Sequence, residues 1–147
     1  MIGHWIAGKP IRPEGGRVAP VFDPARGVQT GDVCLASARE VGEVVGVAAA
    51  VAPEWADTSL SARTGMLFRL RGLIDRYQDD LARLVTSEHG KVFSDARGEV
   101  ARGLECVEFA CGVANLLKGS YSAQASTGID VQTVREPLGV VAGITPF

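Results

Sequence analysis

Arg102 sits in the stretch Glu99-Val100-Ala101-Arg102-Gly103-Leu104-Glu105. At about 100° per residue it falls on an apolar stripe with Cys106, Phe109 and Val113. A guanidinium among apolar neighbours needs a compensating anion. One candidate is internal: Glu99 or Glu105, each three residues away on the helix. The other is external: a buried arginine facing a cavity grips a carboxylate with two parallel hydrogen bonds. Spacing leaves both open, the paired charge being the ordinary outcome.

The other reactive residue types offer less. A nucleophilic thiol needs a helix N-terminus or a nearby cation. Cys106 and Cys111 lie deep in a predicted helix among apolar residues, so buried packing is expected for both. Cys34, beside Leu35 on a short strand, reads the same way. His89 follows Ser87-Glu88 at a helix end, where it meets the last carbonyls and the helix dipole. His4 neighbours Trp5 in an N-terminal strand. Two histidines so far apart make a histidine-based metal site improbable. No GxGxxG, P-loop, HExxH or GxSxG pattern is present.

These residues must be positioned by a chain of 147 residues, 46 % hydrophobic, with a formal net charge of −2. That length suffices for one domain with a core. The 15 Lys and Arg residues are scattered, so no basic patch points to nucleic acid. The most apolar window, Val41 to Ala52, is too short to span a bilayer. The first residues lack a signal-peptide pattern. Three cysteines without metal spacing fit a reduced, cytoplasmic setting.

Along the chain, His4 to Ile11 and Arg17 to Phe22 read as a hairpin turning through residues 12–16. Gly31 to Ala36 is a further extended piece. Three helices are expected next. The first opens on the capping box Ser37-Ala38-Arg39-Glu40 and ends near Pro53. The second opens near Ser59, carries one stripe through Leu67, Leu70, Ile74, Tyr77, Leu81 and Leu84, and stops at Gly90. The third, about Val92 to Lys118, carries two roughly opposite apolar stripes, so burial on both sides is expected. Ser120 to Arg135 reads as a polar two-stranded ribbon turning near Thr127-Gly128, unstable without a partner. Val140 to Thr145 reads as a buried strand, which implies ladder partners and covering helices.

The stretches "EHGKVFSDARGEVARGLECVEFACG" (residues 88–112) and "REPLGVVAGITPF" (residues 135–147) closely resemble the aldehyde dehydrogenase superfamily. The first has the form of one branch, the CoA-acylating methylmalonate-semialdehyde dehydrogenases. "FDPARGVQTGDVCLAS" and "PEWADTSLSAR" fit the same branch. The resemblance covers nearly the whole chain. It implies an α/β class, with a hairpin and helices over 1–119 as the N-terminal part of an NAD-binding domain. It makes 120–137 an oligomerisation ribbon and 138–147 the first strand of the dinucleotide-binding fold.

In the family an Asn-Phe-Pro follows "GITPF", and that Asn helps form the oxyanion hole. A distant cysteine adds to the aldehyde, hydride passes to NAD, and CoA takes the acyl group. The resemblance implies that this chain carries neither the Asn nor the catalytic Cys, so it would be inactive alone. It assigns Thr145, Pro146 and Phe147 to NAD binding and Arg102 to the substrate carboxylate. It implies a small semialdehyde and CoA as partners of the whole enzyme, a homo-oligomer through the ribbon, and neither nucleic acid nor membrane. Two other readings stay open: an aldehyde dehydrogenase with another substrate, and a non-catalytic module that binds full-length subunits.

Overall fold

The computed structural model describes residues 1–12 and 15–145. Its N-terminal strands pair differently from expectation. β1 (His4–Ile6) folds back on β2 (Lys9–Ile11) in antiparallel register, with Trp5 opposite Pro10. Between them Ala7 and Gly8 both take positive φ, 50° and 75°. That is the backbone of a primed two-residue turn, whose twist matches the strands it joins. The first run therefore makes its own hairpin.

β3 (Arg17–Asp23) pairs instead with β4 (Val28–Leu35), Arg17 opposite Leu35 and Asp23 opposite Val28, with a bulge between Val21 and Phe22. The turn is held by Asp23. Its carboxylate accepts from the Ala25 and Arg26 amides at 2.9 and 3.2 Å and from Arg26 Nε at 2.7 Å. Asp23-Pro24 thus begins a turn. Ile2 adds a parallel bridge to Val33, its amide donating to the Asp32 carbonyl.

α1 (Ala38–Asp57) opens on the expected capping box: the Ser37 hydroxyl and the Glu40 carboxylate satisfy each other's free backbone amides. It does not end at Pro53 but runs one turn beyond. Proline removes one donor, and Thr58 holds the tail, its hydroxyl donating to the Glu54 carbonyl at 3.0 Å. The expected second helix is two, α2 (Leu60–Arg76) and α3 (Gln78–His89). They join at Tyr77 (φ −105°, ψ 18°), through which the backbone ladder continues. α3 stops at Gly90 in the left-handed conformation, φ 84°. A Cβ there would stand 3.0 Å from Pro24 Cγ, so this cap sits against the β3–β4 turn.

The expected third helix also divides, into α4 (Phe93–Ala110) and the single turn α5 (Val113–Leu116), at Cys111-Gly112. α4 packs on α2 and α3. Two ion pairs set its position: Arg71 with Glu108 at 2.9 Å, and Arg97 with Asp79 at 3.2 Å. Burial on both sides is not found. Ala96 and Leu104 are buried and Val100 and Val107 half-buried, whereas Cys106 and Phe109 on the opposite stripe are exposed. The buried apolar residues among those described are Cys34, Ala82, Ala96 and Leu104.

β5 (Tyr121–Ser126) and β6 (Ile129–Gln132) form the predicted ribbon. Its ladder is interrupted at Gln124, whose φ is 51°. Residues 133–145 form no strand, so the strand expected over Val140 to Thr145 is not found. A strand exists only through its ladder, and Val140, Val141 and Ile144 are exposed.

Candidate functional site

Arg102 lies midway along α4, exposed, with Gly98 one turn before it and Cys106 one turn after on the same face. The internal partners suggested by spacing do not reach it. Glu99 pairs with Lys91. Among the described residues Arg102 has no ion-pair or hydrogen-bond partner. The guanidinium thus keeps its donors for an outside acceptor, but from an open helix face and not from a buried stripe.

Thr145 is exposed at the end of the unpaired segment, and no hydrogen bond joins it to Arg102. Pro146 and Phe147 lie outside the described residues. Among the described residues no group of His, Cys, Asp and Glu could hold a metal ion. Among the described residues no helix is long and apolar enough to cross a membrane. Of the cysteines, Cys34 is buried as expected, Cys111 is half-buried and Cys106 is exposed. Phe109, its neighbour on that stripe, is exposed as well.

A cavity of about 610 Å³ lies elsewhere, between the β1–β2 hairpin and α1. Trp5, Ile6, Val41 and Val44 line it, with His4 at its edge. Neither Arg102 nor Thr145 lines it. A cavity of about 390 Å³ reaches α4 at Glu99 beside Leu84, Val85 and His89.

One polar cluster was not foreseen. Asp130 accepts from the Tyr121 hydroxyl and, at 2.8 Å, from the Gln124 amide. The Tyr121 hydroxyl first, then the amide, hold the Asp130 carboxyl below its usual range, and Tyr121 is pushed up in return. The interruption at Gln124 makes the cluster, and no sequence period announces a bulge there.

With this geometry in place, comparison with known proteins is decisive. Residues 11–147 match the aldehyde dehydrogenase family. The chain belongs to that family. Malonate-semialdehyde dehydrogenase 2 of Geobacillus thermodenitrificans is 42 % identical over 144 residues, covering 98 % of this chain and 30 % of that protein. Malonate-semialdehyde dehydrogenase of Pseudomonas aeruginosa is 38 % identical, covering 98 % and 29 %. The methylmalonate-semialdehyde dehydrogenase structure from Oceanimonas doudoroffii superposes with a TM-score of 0.88 at 37 % identity, over 93 % of this chain and 28 % of that one. A Sinorhizobium meliloti structure complexed with NAD, whose assignment to the same activity is provisional, gives 0.88 at 37 % identity, over 94 % and 28 %. The chain therefore spans about 30 % of the length of the curated aldehyde dehydrogenases it matches. Its elements are those of the N-terminal part of that fold.

Proposed function

We propose that this chain is the N-terminal portion of an NAD-dependent, CoA-acylating malonate- or methylmalonate-semialdehyde dehydrogenase, and that it is not catalytic by itself. The observation that carries the proposal is the unpaired guanidinium of Arg102, on a chain whose relatives act on acid semialdehydes. A planar fork of donors suits a carboxylate. In this role Arg102 holds the far end of the substrate and leaves the aldehyde carbon free to be placed against a thiol.

The division into 1–119, 120–137 and 138–147 belongs to the same proposal. The ribbon serves assembly into a homo-oligomer, because both its edges are unpaired. Bound NAD supplies the hydride acceptor, and Thr145, Pro146 and Phe147 are the residues assigned to it. The described residues do not make a nucleotide site on their own. Their sheets are two-stranded and antiparallel, and no glycine-rich turn leads from a parallel strand into a helix. The thiol and the oxyanion donors likewise belong to parts of the family fold outside this chain.

Two preparations test this. The 147-residue chain, free of host enzyme, should give no NADH from malonate semialdehyde or propanal. A chimera in which it replaces the matching part of the Pseudomonas aeruginosa relative should oxidise malonate semialdehyde. Turnover by the chain alone that disappears on substituting Cys106 or Cys111 would refute its inactivity. A folded chimera without turnover would refute the assignment.

A further inference from the structure

We infer that Gly98 sets the room beside Arg102 for a substituent on the carbon next to the bound carboxylate, and so the choice between linear and α-branched acid semialdehydes. This rests on the carboxylate role proposed above for Arg102. Ala96, Val100, Leu104 and Val107 form the covered side of α4, while Gly98, Arg102, Cys106 and Phe109 lie exposed on the other. Side chains on a helix lean toward its N-terminus and cover the turn before their own Cα. The turn before Arg102 carries Gly98. A carboxylate held by the guanidinium, and the carbon attached to it, therefore lies over position 98.

Nothing within the described residues asks for glycine there. Gly98 sits inside the helix and is not among the positive-φ residues. A Cβ built on it meets no heavy atom within 4 Å. Glycine inside a helix lowers stability relative to alanine, and neither backbone geometry nor packing offsets that loss. Gly103 meets as little but is rotated about 100° from Arg102 around the helix, away from this face. Open space on the Arg102 face is what the missing side chain provides, and the small Cys106 leaves the other flank low as well.

The test uses the chimera with the Pseudomonas aeruginosa relative, with kcat/KM measured for malonate semialdehyde, methylmalonate semialdehyde and propanal. Gly98→Val should lower the value for methylmalonate semialdehyde at least about tenfold more than for malonate semialdehyde, the size of discrimination one methyl group commands. Propanal, with no carboxylate, should lose least. Gly98→Ala should give the same order with smaller losses, while the melting temperature holds or rises because alanine is the better helix former. Loss of activity in a variant at least as stable is a steric effect at the site. Equal losses on all three substrates, or none, would overturn the inference while Arg102→Ala still separates acid from neutral aldehydes. If Arg102→Ala fails to separate them, the carboxylate role falls and this inference falls with it.

Discussion

An arginine with no anion in reach gives up no internal contact when it is removed. That separates the two readings of Arg102 that spacing left open. An ion pair with Glu99 or Glu105 would make Arg102→Ala a stability defect felt by every substrate. Glu99 pairs with Lys91, and no ion pair joins Arg102 to Glu105 among the described residues, so Arg102→Ala should leave the melting temperature of the 147-residue chain unchanged. In the chimera a lost charge-assisted bond of roughly 1.5–3 kcal/mol lowers kcat/KM for malonate semialdehyde about tenfold to somewhat over a hundredfold. Propanal should be spared, and Arg102→Lys should restore little, because an ammonium has no planar fork. Equal losses on both aldehydes with a lower melting temperature would make Arg102 structural. Helical spacing was enough to single out this residue and its possible partners. It could not show which stripe of α4 is covered, because that depends on what packs on it, and the same gap led to the expectation that Cys106 is buried.

At the scale of elements, what was legible lay within a few residues in sequence. The Ser37–Glu40 box and the Gly90 cap were readable because donor, acceptor and conformation sit in one turn of chain. The Ser37→Ala chain should lose about 1 kcal/mol, read as a lower midpoint in urea unfolding. An unchanged midpoint would mean that the α1 N-terminus is frayed. Strand pairing was misjudged because alternation permits several partners. Ala7-Gly8 and the Asp23 carboxylate decide between them by closing tighter turns than residues 12–16. The ribbon makes a pH prediction. Asp130 is held low by the Tyr121 hydroxyl and the Gln124 amide, so its contribution is present above the ordinary carboxylate value and lost as pH falls through the lowered one. Tyr121 is held high by the same bond, so its contribution is present below the ordinary tyrosine value and lost as pH rises through the raised one. Cross-strand NMR shifts of the ribbon should be flat near neutrality and move at both extremes. Asp130→Asn should abolish the acid movement and bring the alkaline one down toward the ordinary tyrosine value, and a variant that titrates like the wild type would sever the cluster from the ribbon's stability.

For the molecule as a whole, surface area is the governing quantity. A compact monomer of this mass exposes about 7,200 Å², whereas this chain exposes 11313 Å². The difference exceeds twice the area, about 1,600 Å², of a standard protein interface. Part of it lies where the sequence calls for partners. Phe109 on the bare face of α4 is 71 % exposed, and Leu138 and Ile144 in the unpaired segment are 93 % and 96 % exposed. The strand expected over Val140 to Thr145 is absent too: the residues are strand formers, but a strand exists only through its ladder, and no described strand pairs with them. Apolar surface of this extent, with unpaired ribbon edges beside it, favours association. The isolated chain should show a light-scattering mass that rises above the monomer with concentration. Phe109→Asp and Ile144→Asp together should lower that mass, since both side chains are largely exposed. Joining the chain to the rest of the fold in the chimera should abolish concentration-dependent growth by the isolated-chain route, because the same surface is then covered from within. A wild-type chain that stays monodisperse and monomeric at high concentration, and unfolds in one sharp transition, would show that Ala82, Ala96, Leu104 and their neighbours are core enough on their own.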